Sequence, residues 1–386
     1  MIKRKSLEWY LALFALLTII FVWWLGKNNS QDQTMRQIRN YFPVKDYTIN
    51  KTEGSDAVWK LSGENNGGFL SKGNGKGYAG SVSVLAEYSN DYQVRSVIIL
   101  SHQETPSYFK KVLQKDYLDY FTQKKWDHFL KKNREIDVIS GATKSSEAIY
   151  RGVQSASIQL ASAQNLKPIP DINETGWQIG FKEVVVVVIF LMGILSRFHK
   201  FRYKKYLKWA TLMCGMVFIG FVFNEPITIT RVNSFLIGFW PDWHSELYIY
   251  LLFFGVLLIL LTSGKNVYCH TFCPFGALQE LTGKLGKAGN VRLKSRYFWM
   301  WFQRSLAWIA ILLALFFRNP GISEYEVFGA VFQFTGSVWL FLLLGIVLIA
   351  SFIIRKPWCN YFCPVNPIFG FIQLFRNKIK SLWQKT

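Results

Sequence analysis

Charge is scarce in this chain: Asp, Glu, Lys and Arg make up 18% of its 386 residues, against about a quarter in an ordinary soluble domain. Apolar residues are not scarce, at 51% hydrophobic and 17% aromatic, so there is too little polar surface for an all-soluble protein. Acid is the scarcer sign, 24 Asp+Glu against 45 Lys+Arg, for a net charge of +21. Cysteine is nearly missing too. Five in the whole chain are too few for a disulfide scaffold.

A basic excess of this size points either to nucleic acid or to membrane topology. Its location decides. Residues 27–178 hold 20 Lys+Arg and 16 Asp+Glu, whereas residues 179–386 hold 22 and 7. The excess therefore lies between apolar runs in the C-terminal half, not on a polar folded surface as a nucleic-acid domain would carry it. Nucleic acid is not an expected partner; membrane lipid is.

Residues 7–26 contain one charge, Glu8, and about 18 apolar residues at 1.5 Å each give roughly 27 Å, close to a bilayer core. The run is long for a signal peptide and no small-x-small cleavage site follows, so residues 1–26 are expected to be an uncleaved anchor. Further apolar runs lie at 184–195 (extended by 177–181), 207–223, 247–261, 298–317 and 338–354. These make about six spans, with Phe235 to Trp240 as a candidate re-entrant piece. Lys3, Arg4 and Lys5 place the N-terminus inside by the positive-inside rule. The inner segments after residue 179 then hold 19 Lys+Arg and one acid, Glu280, while the outer flanks hold three bases and six acids. Both termini are expected in the cytoplasm, with residues 27–178 outside as a globular domain and residues 179–386 as a five-span membrane domain.

The outer segment has turn-rich Gly75–Gly80, an alternating strand 81–87, a turn at 89–92 and a second strand 94–101, a hairpin pattern. Residues 109–132 carry helical periodicity with basic and aromatic residues mixed, most simply a solvated face. Residues 145–164 form an amphipathic helix pattern, and 165–174 a linker.

Directly before that helix stands Asp137-Val-Ile-Ser140-Gly141-Ala142-Thr143-Lys-Ser145-Ser146. Small residues let a bulky group approach the backbone, and the following helix N-terminus offers free N–H groups to a phosphate. By residue chemistry alone, a capped helix explains the stretch equally well. The stretch nevertheless resembles the covalent flavinylation motif, Asp-x-x-(Ser/Thr)-Gly-Ala-Thr, of FMN-binding domains in Rnf-type and sodium-pumping NADH:quinone reductase subunits. The Gly-Tyr-x-Gly around Tyr78 and the Glu104-Thr105-Pro106 stretch match in order. The family often continues Glu-Thr-Pro with Gly-x-Gly, where this chain has Ser107-Tyr-Phe109. The resemblance implies FMN esterified to Thr143 by a separate flavin transferase, with Asp137, Ser140, Gly141, Ala142, Ser145, Ser146, Tyr78, Glu104 and Thr105 around it.

Four of the five cysteines form two copies of C-x3-C-P, at Cys269 and Cys273 and at Cys359 and Cys363. Each follows a span running outward to inward, which predicts both pairs at the cytoplasmic face. Four thiolates can hold an iron–sulfur cluster, zinc or Cu(I); buried packing or a labile dithiol is the plainer alternative. The paired motifs resemble the NosR/NapH-like membrane family of electron-transfer subunits. Relatives of that kind usually end in a cytoplasmic ferredoxin domain and this chain ends at Thr386, so a separate ferredoxin-like or quinol donor is expected, with quinone as a candidate cofactor.

The expected fold class is thus a multi-pass α-helical membrane protein with an extracytoplasmic α+β FMN-binding domain, in a bacterial inner membrane. The expected role is electron transfer between a cysteine-ligated centre or quinol and FMN outside, feeding an extracytoplasmic reductase as redox acceptor. A membrane-bound redox sensor is the alternative, weakened by the lack of a recognisable output domain. A transporter would need polar residues inside the spans, which are nearly absent.

Overall fold

A computed structural model describes residues 2–29, 38–42, 48–52, 55, 57–62, 67–77, 80–104, 106–113, 116–130, 143–166, 180–198, 202–241, 243–244, 246–289, 296–323, 325–334 and 336–383. Helix α1 (Ile2–Asn29) is followed by five strands. These are β1 (Thr48–Lys51), β2 (Val58–Ser62), β3 (Gly68–Lys76), β4 (Ser81–Ser89) and β5 (Val94–His102). They form one antiparallel sheet in sequence order.

The expected hairpin is β4–β5, pairing Val82 with His102 and Tyr88 with Val94, around a turn in which Tyr92 takes φ 59°. Side chains alternate along a strand, so Val82, Val84, Ala86 and Tyr88 pack on one face of the sheet and Leu85 on the other. The first face is covered by α3 (Thr143–Ala163), through Ala148, Ile149, Val153, Ala156 and Leu160. The second buries Ile38, Trp59, Leu61, Leu70 and Leu100.

The continuous helix expected over 109–132 is not formed. Helix α2 (Pro106–Leu113) is followed by two one-turn 3-10 segments, Tyr117–Phe121 and Trp126–Leu130. Asp116 and Gln123 take positive φ, a left-handed conformation that ends a right-handed helix. Lys124 lies 3.1 Å from the centre of the Tyr120 ring. The expected linker at 165–174 lies almost wholly outside the described residues.

The C-terminal half is helical: α4 (Phe181–Phe198), α5 (Lys204–Cys214) with a π-helical extension Gly215–Val222, α6 (Ile229–Ile237), α7 (Leu247–Ser263), α8 (Pro274–Leu285), α9 (Arg296–Phe316), α10 (Phe328–Phe332), α11 (Val338–Ile353), α12 (Pro357–Tyr361) and α13 (Val365–Trp383). Among the described residues, three helices are long and apolar enough to cross a membrane: Leu7–Lys27, Lys204–Val222 and Tyr297–Phe316. Helices α7 and α11 are apolar but shorter. Outward-facing Leu17, Phe21, Leu258, Trp339 and Ile349 are exposed, a run of apolar surface suited to lipid. Helix α1 packs on α9, where Trp308 donates to the Thr18 hydroxyl at 3.2 Å. The candidate re-entrant stretch is split: Phe235 to Ile237 end α6, and Gly238 at φ 96° stops it.

Candidate functional sites

Helix α3 starts at Thr143, and Thr143 is exposed. Two glycines of β3 set how close this helix comes to the sheet. A Cβ on Gly73 would overlap the Gly152 carbonyl oxygen, and one on Gly75 that of Ala148. The Ser71 hydroxyl then reaches the Ala156 carbonyl at 2.7 Å, and the Tyr88 and Ser157 hydroxyls pair at 2.9 Å. The body of α3 is thereby held on the sheet. Ser145 donates to the buried Glu104 carboxylate at 2.5 Å, and Ser146 is fully buried. Asp137, Ser140, Gly141, Ala142, Tyr78 and Thr105 lie outside the described residues.

The first turn of α3 meets the helical unit. Lys144 bonds Glu246, just ahead of α7. Burial by itself would lower the Lys144 pKa, but the Glu246, Glu225 and Glu147 carboxylates together outweigh it and the ammonium is held above its ordinary value. Glu225 lies nearby, and its pKa is raised by burial and then by Glu246, against the pull of Lys182 and Arg231. Gln103 Nε2 donates to the Arg318 carbonyl at 2.7 Å, and Asn319 Nδ2 to the His102 carbonyl at 3.3 Å. Nothing in the local sequence signals these contacts, because the partners stand about 100 or 215 residues apart.

The residues fit a flavin phosphate. An exposed hydroxyl stands at a helix N-terminus, where the free N–H groups and the dipole favour an anion. A buried, hydrogen-bonded turn behind it keeps that end rigid.

The C-x3-C-P motifs follow α7 and α11 as expected, but they turn back into the bundle. After Gly264 at φ 71°, a π-helical turn Tyr268–Phe272 leads to α8. The Tyr268 hydroxyl accepts from Ile227 N at 3.0 Å. A Cβ on Gly215 would overlap the Phe272 carbonyl, and one on Gly220 would stand 3.0 Å from Pro274. Cys273 and Cys363 are buried, and all five cysteines are free thiols. Cys269, Cys273, Cys359 and Cys363 each lie within electrostatic reach of the other three.

Side chains that no motif marks hold this centre. Gln279 donates to Cys359 Sγ at 3.5 Å and accepts from Trp358 N at 3.0 Å. Gln303 Nε2 donates to the carbonyls of Cys363, at 2.8 Å, and Cys359, at 3.1 Å. Asn266 accepts from Cys269 N at 3.0 Å. Glu280 gathers Lys208, Arg355 and Lys356. A glutamine on a mostly apolar helix is the signal that sequence reasoning could have used.

Among the described residues, no three His, Cys, Asp or Glu side chains close up as a single-ion site. Four thiolates on a four-iron cluster bind one per iron, so their sulfurs stand further apart than those around one ion. The buried Trp358 Nε1–H has no protein acceptor, and hydrogen bonds to cluster sulfur are among the features that tune these centres. Four soft thiols in one neighbourhood fit an iron–sulfur cluster.

Comparison with known proteins agrees with both sites. Residues 77–157 match the FMN-binding domain family, and residues 247–290 and 335–381 match the 4Fe-4S binding domain family. The cofactors are FMN and an iron–sulfur cluster. Protein NirI of Paracoccus denitrificans is 25% identical over 236 residues, covering 56% of this chain and 33% of that protein. Regulatory protein NosR of Stutzerimonas stutzeri is 25% identical over 232 residues, covering 53% and 32%. The chain thus spans about a third of the length of these two relatives. A component of the proton-translocating ferredoxin:NAD(+) oxidoreductase complex of Clostridium ljungdahlii is 28% identical over 138 residues, covering 34% of this chain and 72% of its own. The chain thus carries an FMN-binding domain and a 4Fe-4S binding domain.

Proposed function

We propose that this protein carries electrons across a bacterial inner membrane between the cysteine-bound cluster and FMN esterified to Thr143. The observation that carries this reading is the seating of the flavin domain on the helical unit, with the first turn of α3 bonded to Glu246. One polypeptide then holds both cofactor sites in fixed relation. Six crossings, with both termini in the cytoplasm and the flavin domain outside, account for the 19 basic residues against one acid on the inner segments.

When bound, FMN exchanges one or two electrons and the cluster one. The chain supplies placement. The exposed Thr143 hydroxyl is open to a flavin transferase, and the Glu104–Ser145 bond orients the turn that bears it. Gln279 and Gln303 hold the second cysteine pair. The donor is a ferredoxin-like protein or quinol, and the acceptor an extracytoplasmic reductase.

The test uses the full chain, matured with the transferase and sealed into vesicles with the flavin domain outward. Reductant confined to the lumen should bleach the flavin of the wild type, and Thr143→Ala should carry no flavin through denaturing electrophoresis. Flavin that stays oxidised while the cluster is reduced would overturn the transfer. Bound fluorescence in Thr143→Ala would overturn the attachment.

A further inference from the structure

The cysteine centre does not sit at the end of the bundle remote from the flavin domain. Helix α8 runs antiparallel to α5: Pro274 packs beside Gly220, and Glu280 pairs with Lys208. Lys208 is near the start of α5 and Gly220 is twelve residues on, roughly 18 Å along the axis. Cys273, between Phe272 at Gly215 and Pro274 at Gly220, lies part-way along that span, and Cys359, bonded by Gln279 next to Glu280, lies nearer the Lys208 level. The chain leaving the Gly220 end carries Glu225, whose charge is felt by Lys144 of the flavin domain. The centre thus reaches from beside the Glu280 cluster into the bundle, which shortens the roughly 30 Å core that electrons would otherwise have to cross.

One stretch of chain touches both sites. A Cβ on Gly321 would stand 2.8 Å from the Glu104 carbonyl oxygen, and Glu104 holds Ser145 beside the attachment residue. Asn319 and the Arg318 carbonyl bond His102 and Gln103. Ser323 accepts from the buried Asn233 Nδ2 at 2.9 Å. Tyr325 then places its ring 6.4 Å from the ring of Trp358, centre to centre, and its hydroxyl donates to the Phe362 carbonyl at 3.5 Å. Trp358 and Phe362 directly precede Cys359 and Cys363. From Gly321 to Tyr325 is four residues, at most about 14 Å of chain.

We propose that this strap, Arg318–Ser323 with Tyr325, is the bridge between the cofactor sites, its first part seating the flavin domain and the Tyr325 ring narrowing the gap to the cysteines. This rests on the transfer reading above. Each event oxidises the reduced cluster by one electron and reduces the flavin by one, with protons drawn from water at the exposed face of α3. No radical forms on Tyr325 or Trp358; the rings serve as tunnelling medium. A low-potential external donor re-reduces the cluster.

The fully matured chain is mixed with reduced viologen in stopped flow and flavin bleaching is followed, with Cys363→Ser giving the rate of direct reduction. Wild type should exceed Cys363→Ser. Because such rates depend steeply on position, Tyr325→Leu should lose about tenfold while Tyr325→Phe stays within about twofold of wild type. Iron content, flavin content and both potentials should be unchanged in each. Gly321→Val, remote from the cysteines, should slow the rate and raise amide hydrogen exchange over residues 98–104, the latter also in protein made without the transferase. If wild type only equals Cys363→Ser, the transfer reading fails. If wild type exceeds it but Tyr325→Leu matches wild type, or Gly321→Val changes neither rate nor exchange, the bridge fails. A rate that falls only in proportion to lost iron likewise overturns it.

Discussion

The two cofactor sites are built on opposite plans. The flavin site comes from one contiguous domain, with Thr143 exposed and its rigidity supplied by backbone: Gly73 and Gly75 let α3 lie directly on β3. The cluster site comes from two stretches about 90 residues apart, with one buried cysteine in each pair and rigidity supplied by side chains, chiefly Gln279 and Gln303. A surface hydroxyl can be modified after the domain has folded. Among the cluster cysteines, Cys273 and Cys363 are enclosed by the bundle while Cys269 and Cys359 are partly open.

The largest expected effects test that independence. Cys363→Ser should lose essentially all bound iron yet keep full covalent flavin, and Thr143→Ala should do the reverse, as read by iron analysis and in-gel fluorescence on the same preparations. Loss of both cofactors in either variant would break the separation. Next in size is Gly75→Ala. Its methyl has no space against Ala148, so overpacking should cost the flavin domain about 1–3 kcal/mol. Chemical denaturation followed by flavin emission measures it, and iron content should not move.

Gln303→Leu sharpens the other side. It leaves the Cys359 and Cys363 carbonyls without their shared donor, at a cost of about 1–3 kcal/mol for a buried unsatisfied group. The expected readout is lower iron retention on heating, with flavin emission unchanged. An unaltered iron loss would mean that the backbone, not Gln303, holds the second cysteine pair.

How much of this is legible in the sequence follows the same division. The β4–β5 hairpin and the α3 helix are readable because alternation and helical periodicity are local, and both cofactors are marked by contiguous or repeated motifs. Strands β1 to β3 are not; β3 carries three glycines, whose value lies in contact with α3 and not in strand propensity. The break at Asp116 is hidden because periodicity does not register a positive φ. The level of the cysteines within the bundle is hidden for a related reason. Hydropathy marks where an apolar run ends, not that Gly264 turns the chain back toward Gly215 and Gly220. Gln279, Gln303 and the strap act only on residues distant in sequence, so no window contains the partners.

The smallest expected effect concerns the seam between the two regions. His102 stacks on Phe109 with ring centres 3.8 Å apart, and its pKa is lowered by burial, partly offset by a backbone hydrogen bond at Glu104. A histidine depressed on folding binds fewer protons folded than unfolded in the window below its ordinary value of about 6.5. Its share of stability is therefore present above that value and is lost as pH falls from there toward the folded value. Flavin-domain melting should shift downward through that window, and His102→Gln should flatten that part of the slope. The His102 carbonyl also receives Asn319, so the same acid step should raise hydrogen exchange at the seam before it affects α3, the helix that Gly73 and Gly75 hold against the sheet. Exchange that rises first within α3 would place the weak point inside the flavin domain and leave the seam as the stronger contact.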